Sequence, residues 1–302
     1  MEAPVGRAEG WGGDPLVRAR RGAGRAFVFL ARDRALGIAV TALALLVCLG
    51  LLGPLFWPKD PLGIDVGSSL LPPSRAHPMG TDSVGRDVFA RFNEGARISL
   101  AVGSVVVIVG ALFGGVIGIV AGATGGWVDG LLMRTMDAIL AFPPLILAMA
   151  VTVGLGSGLR TAGLGIMLTT IPYYARLLRS EVLRIRSLPF IEAAHALGAR
   201  RMRIMARHIV PHVVSTLLIQ AAAVFGYAIL TLAALGFVGL GARVPTPEWG
   251  TMITDGLQFF LTGQWWIGVF PGLGVLIAVT AASVIADRAR DILDPRGRYA
   301  HV

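Results

Sequence analysis

Charge is what this sequence has least of. Only 15% of its 302 residues are Asp, Glu, Lys or Arg, against about a quarter in a soluble domain. Hydrophobic residues make up 55%. That balance excludes a single soluble globule and points to a chain that crosses a membrane several times, at roughly 20 residues per span. Lysine is almost missing too. Its one copy, Lys59, stands in WPKDPL, so the Gly-Lys-Ser/Thr of a phosphate-binding loop is not there. The single cysteine, Cys48, rules out an internal disulfide and a cysteine-based metal site. Within LALLVCLGLL it reads as a small buried hydrophobe. No apolar run carries the acidic or histidine relay of an ion-coupled transporter. His208 and His212 are four apart, but Pro211 lies between them and no third ligand is near, so no metal is expected.

What is present is six apolar runs, at 38–56, 98–121, 131–153, 161–178, 213–240 and 265–286, each a candidate transmembrane helix. The fourth is the most polar. The third contains Pro143 and Pro144, which remove two backbone donors and should kink a helix there. Such a kink lines a pathway or only packs around its bend. The first run is too long for a signal peptide and is followed by GPLFWP instead of a small-x-small site, so it reads as a retained anchor.

Arginine sets the orientation. The N-terminal tail carries Arg7, Arg18, Arg20, Arg21, Arg25, Arg32 and Arg34. The connection after the fourth run carries Arg176, Arg179, Arg184, Arg186, Arg200, Arg201, Arg203 and Arg207, and the C-terminal tail Arg288, Arg290, Arg296 and Arg298. With six spans these segments share one side, which the positive-inside rule makes cytoplasmic. In the long connection 57–97 five basic residues balance five acidic ones, and it falls outside with Arg160 and Arg243. The expected architecture is therefore an all-α polytopic membrane protein of six transmembrane helices, N-in and C-in. It divides into a basic tail (1–34), a first span with its external segment (35–97), a five-helix core (98–286) containing a basic loop (181–211), and a cytoplasmic tail (287–302).

Within the spans, Gly110, Gly114, Gly118 and Gly122 recur every four residues and put glycine along one helical face, where another backbone can approach closely. Helix packing is the plain interpretation, a pore lining the other. Gly268 and Gly272 repeat the spacing beside Pro271, and Trp265 and Trp266 suit an interfacial aromatic belt. Arg134 and Asp137, three apart, should pair with each other. Gln220, Thr169 and Thr170 face a pathway or bond to a neighbouring helix; we read them as the second.

The stretch EAAHALGARRMRIMARHIVP (192–211) is basic and helical in pattern. It suits a DNA-binding helix-turn-helix, a loop against anionic lipid, or a docking element for a cytoplasmic protein. A DNA reader anchored between two spans is hard to seat in a major groove, and nucleic acid is not expected. Docking fits the details. Ser187 and Pro189 start a helix whose first turns hold Glu192, Ala193, Ala194 and Ala196 keep it thin, and Gly198 stops it. A second helix over 199–208 would align Arg200, Arg203 and Arg207 on one face and Met202, Met205 and Ile209 on an adaptable apolar one.

This stretch resembles the EAA loop of ABC importer permeases: Glu192, Ala193 and Ala194, then Gly198, then Ile209 and Pro211 before the next span. HPMGTDSVGRDVFARFNEGARISL (77–100) and RARDILDPRGR (288–298) are similar to segments of the dipeptide/oligopeptide/nickel permease family, with Asn93 where a bulkier residue is more usual. The resemblance implies a type I ABC importer permease fold in the bacterial cytoplasmic membrane. It implies a second permease subunit, two ATP-binding subunits on the cytoplasmic loop that hold the ATP and Mg, an external substrate-binding protein, and surrounding lipid. No cofactor would be bound by this chain, and no catalytic residue is expected. The solute would be di- or oligopeptides, with nickel or another small solute as the alternative. A stand-alone secondary transporter is the reading from a different class.

Overall fold

The computed structural model describes residues 33–293. The tail arginines before Asp33, with Arg296 and Arg298, lie outside the described residues. Among these there is no strand, only an isolated bridge between Thr81 and Asp87, and the architecture is all-α.

Helix α1 (Arg34–Phe56) starts where Asp33 accepts the backbone N–H groups of Ala35 and Leu36 at 3.0 and 3.2 Å. Two otherwise orphan donors are thereby satisfied. Helix α2 (Val88–Thr124) begins ten residues before the apolar run does. Asp87 caps it through Ala90 at 2.9 Å. Its polar first turns are buried: Arg91 donates to the Pro61 and Pro245 carbonyls at 3.3 Å, and Asn93 lies against Gly53 of α1. Hydropathy alone placed that boundary too late because tertiary cover, not lipid, shields those turns.

The third run is not a kinked helix. It is two helices, α3 (Gly126–Leu140) and α4 (Pro144–Leu155), bent by 86°. Pro143 stands in an extended conformation as the N-cap and Pro144 opens α4, the first-turn position that tolerates a missing N–H. Helix α5 (Leu159–Arg186) runs eight residues past the expected end. A short α6 (Pro189–Ala196), a single turn α7 (Arg201–Ile204) and a π turn (Met205–Ile209) then lead into α8 (Val210–Phe237). After α8 comes α9 (Trp249–Phe260), which the apolar runs did not reveal, and α10 (Trp266–Leu293) is the last helix among the described residues. Among the described residues, four helical stretches are long and apolar enough to cross a membrane, and the bent α3–α4 pair makes a fifth if taken as one span. Helix α5 is as long as α8 but more polar.

The glycine stripe of α2 lets α5 approach closely. A Cβ on Gly114 would lie 2.4 Å from the carbonyl oxygen of Ile171, and one on Gly118 2.4 Å from that of Ala175. Gly110 and Gly122 meet Thr170 and Val182 of the same α5. All four glycines are thus buried against α5, with backbone the nearest neighbour at Gly114 and Gly118. Thr169 and Thr170 donate to carbonyls of their own helix, Ile166 and Met167, at 2.7 and 3.0 Å, contrary to the interhelical bond expected of them. Gln220 does bridge helices: it bonds Tyr173 of α5 and accepts from Arg290 of α10 at 3.1 Å.

Trp249 of α9 is fully buried and donates to the Phe92 carbonyl at 3.2 Å. Trp266 is buried as well and donates to the Thr81 carbonyl at 3.1 Å. It belongs to the core and not to an interfacial belt, because the external segment folds over it. Cys48 is exposed on α1, since the buried face of that helix is Leu46, Gly50 and Gly53.

Candidate docking site

The start of α1 and the end of α10 meet where Arg288 pairs with Asp33 at 3.3 Å. The basic loop joins the end of α2. Arg186 donates to the Gly122 carbonyl at 2.6 Å, and Arg201 bonds the Ala123 carbonyl. Both arginines therefore cap the C-terminus of α2, where helix carbonyls lack partners and cations are favoured. Composition alone could not tell these two from the outward-facing ones.

The loop is built around a turn. Pro189 opens α6, with Leu188 as its N-cap; Ser187 instead closes α5, donating to the Arg184 carbonyl at 2.9 Å. Gly198 has φ +76°. Its N–H donates to the His195 carbonyl at 2.9 Å, and Ala199 donates to Ala194 at 3.1 Å. That double bond across a left-handed residue is the Schellman ending of a helix. The second expected helix is shorter than 199–208: only Arg201–Ile204 is α, and the π turn merges it into α8. Such a turn absorbs one extra residue within a helix.

Inside, Ile191, Ile204 and Ile209 are buried with Val213 and with Leu178, Val182 and Ile185 of α5, and Ala194 and Met205 pack against them. The expected apolar face is thus divided, with Met205 and Ile209 inward and Met202 outward. At the tip, Leu197 is 88% and Met202 79% exposed. Glu192, Ala193, Arg200, Arg203 and Arg207 are exposed around them. Pro211 lies on the exposed side of the first turn of α8. Leu197 was missed in the sequence; an apolar residue directly before a helix-stopping glycine was the available signal. Leu197 and Met202 are thus exposed apolar side chains in a loop whose other exposed residues are largely charged. His208 and His212 each stack near Phe190, with ring centroids 6.1 Å apart in both cases, and no trio of metal-ligating side chains occurs among the described residues.

Two other features lie away from the tip. At the α3–α4 break, Leu140, Pro144, Thr169, Tyr173, Val224 and Tyr227 line a cleft of about 330 Å³. Pro144 is therefore at the cleft, while the glycine stripe is not. At the opposite end of the molecule, Asp87 gathers Trp57, Lys59 and His77 at 3.2, 3.2 and 2.8 Å. Asp82 holds Arg86 at 2.6 Å and Arg91 at 3.6 Å. Glu248 is fully buried and caps α9, accepting from Gly250 at 2.8 Å and Thr251 at 3.1 Å; burial raises its carboxyl above the ordinary carboxylate value.

Residues 114–299 match the family described as binding-protein-dependent transport system inner membrane component. The chain belongs to this family. The permease is 40% identical over 257 residues to the probable D,D-dipeptide transport system permease protein of Escherichia coli K12, covering 84% of this chain and 86% of the relative. It is 38% identical over 271 residues to the dipeptide transport system permease protein of Alkalihalophilus pseudofirmus, covering 90% and 89%. It is 40% identical over 224 residues to the glutathione transport system permease protein of Pectobacterium atrosepticum, covering 74% of each chain. Its fold is that of the inward-facing MetNI methionine ABC transporter, with TM-score 0.54 at 22% identity over 67% of this chain and 95% of that one. The permease is accordingly a multi-pass inner-membrane protein of an ABC import system.

Proposed function

We infer that this permease carries di- or oligopeptides across the inner membrane, as one of two membrane subunits of an ATP-driven importer. The peptide assignment follows the relatives, whose names specify dipeptides and glutathione. The observation that carries the docking assignment is the loop tip: Leu197 and Met202 stand bare around the Gly198 turn. Two ATP-binding subunits seat this tip and the equivalent loop of the second permease, and they hold the ATP and Mg. An external binding protein delivers the peptide at the opposite end. The N- and C-terminal ends of the described chain lie with the loop on the cytoplasmic side.

The mechanism is conformational and needs no reaction on this chain. Closure of the ATP-binding subunits displaces α6, which is packed through Ile191 onto α5. Movement of α5 and α8, which flank the loop, reshapes the cleft at the α3–α4 break and changes the side to which it opens. The test is uptake in cells lacking this chain. Loss of labelled dipeptide uptake, restored by the wild-type chain, is the expected result. Unchanged peptide uptake with lost nickel uptake would move the assignment to a metal importer.

A further inference from the structure

Asp137 does not pair with Arg134. Its Oδ1 takes both Nε and Nη2 of Arg176, at 3.0 and 2.6 Å. Eight residues earlier on α3, Asp129 meets Arg179 in a fork: Nε donates to Oδ1 at 2.5 Å and Nη2 to Oδ2 at 2.7 Å. Arg176 and Arg179 are one turn apart on α5. The two helices are therefore joined at two points by planar, directional bonds that resist sliding.

The ends of α3 are built differently. Gly125 caps its start and Gly126 is its first residue, at φ +68° and +60°, with no neighbouring atom within 4 Å of where a Cβ would lie. A side chain could be added at this two-glycine turn without a clash, but the left-handed backbone is one that glycine adopts most readily. After α3 comes the 86° break into α4, where the cleft of Leu140, Pro144 and Tyr173 lies. So α3 is set off from α2 by a two-glycine turn, sharply broken from α4 and forked onto α5. Helix α5 in turn leads within two residues to the docking helix α6. The Asp137–Arg176 pair is poorly suited to a purely stabilising role, whereas Asp129–Arg179 is more buried, at 15% and 34% exposure. Arg176 and Asp137 are 54% and 50% exposed, and exposed ion pairs add little to stability.

We propose that Asp129, Asp137, Arg176 and Arg179 are positioning residues for transport, a two-point clamp that makes α3 follow α5 and so carries loop displacement to the cleft. This rests on the docking function argued above. The four charges set the geometry of the moving parts and touch no nucleotide.

The test uses the complete importer in proteoliposomes, measuring ATP hydrolysis and dipeptide uptake on the same preparations. Asp129→Arg, Arg179→Asp and the combined swap are compared, with Asp129→Asn plus Asp137→Asn as the variant that preserves shape. The single reversals and the double Asn variant should retain the ATP-binding subunits and keep ATP hydrolysis within about twofold of wild type, while peptide carried per ATP falls at least fivefold. The combined swap should recover to within about twofold. The clamp is overturned if the Asn variant transports with wild-type efficiency, or if the swap recovers nothing while its abundance is normal. Failure of the underlying function is distinct: the wild-type complex itself would then show no ATP-driven peptide uptake.

Discussion

Replacing Gly198 by valine perturbs the docking tip in a way the structure makes calculable. At φ +76° an L-residue with a Cβ is strained, and nothing lies within 4 Å of the position that Cβ would take. The cost is therefore purely conformational, with no packing clash to add. A β-branched residue held in this region costs about 1–3 kcal/mol. If the turn yields instead, the bonds from Gly198 to His195 and from Ala199 to Ala194 are lost, and α6 frays. Either way the intact tip becomes roughly 5- to 150-fold less favoured. Asparagine tolerates the left-handed conformation best among residues with a side chain, so Gly198→Asn should recover most of the loss. The assay is co-purification of the ATP-binding subunits, normalised to the permease in the membrane. Gly198→Val should lose most of them and Gly198→Asn few. Full retention by the valine variant, or equal loss in both, would refute the argument that the turn's handedness presents the tip.

Four further outcomes are expected. Glu192→Lys should weaken co-purification, because it places a cation in the first turn of α6; a loop that merely rests on anionic lipid would leave the complex intact. In a Cys48→Ala background, Gly67→Cys should label with a membrane-impermeant thiol reagent on intact cells, whereas Arg203→Cys should label only after permeabilisation; the opposite pattern would reverse the orientation. Gly118→Leu should lower membrane abundance or melting temperature sharply. Its Cβ would sit 2.4 Å from the Ala175 oxygen, a backbone atom that cannot step aside, and overpacking of this kind costs about 1–3 kcal/mol. Glu248→Ala should destabilise the detergent-purified protein by about 1–2 kcal/mol through loss of the cap on α9, read as a fall in melting temperature; an unchanged value would remove that role.

Hydropathy was a good guide wherever lipid or the core demands a continuous apolar stretch, as in α1, α8 and α10. It failed where charge is neutralised by a distant partner. The last eight residues of α5 read as loop because the apolar run stops before Arg179, but Asp129, 50 residues earlier, accepts that arginine as Asp137 accepts Arg176. Pro143-Pro144 announced a disruption without its angle, since one proline starts a helix as readily as it ends another. Helix α9 was legible in principle: Trp249, Met252 and Gly256 are its buried face, at helical spacing behind the capping Glu248. The run is only 12 residues long, too short to register as a span. At the loop, the glycine that stops the first helix was legible, and Gly198 does take the left-handed turn. Arg186 and Arg201 could not be separated from their neighbours, because capping α2 depends on a contact more than 60 residues away in the chain.

The most direct test of coupling through this loop is dipeptide accumulation by proteoliposomes holding the second permease and the ATP-binding subunits, with binding protein and ATP on their respective sides. Each preparation contains wild-type permease, Gly198→Val or Gly198→Asn. Accumulation should require ATP, should fall with the valine variant in step with lost ATP-binding subunits, and should return with asparagine. ATP-driven accumulation that is undiminished in the valine variant, despite lost ATP-binding subunits, would contradict it.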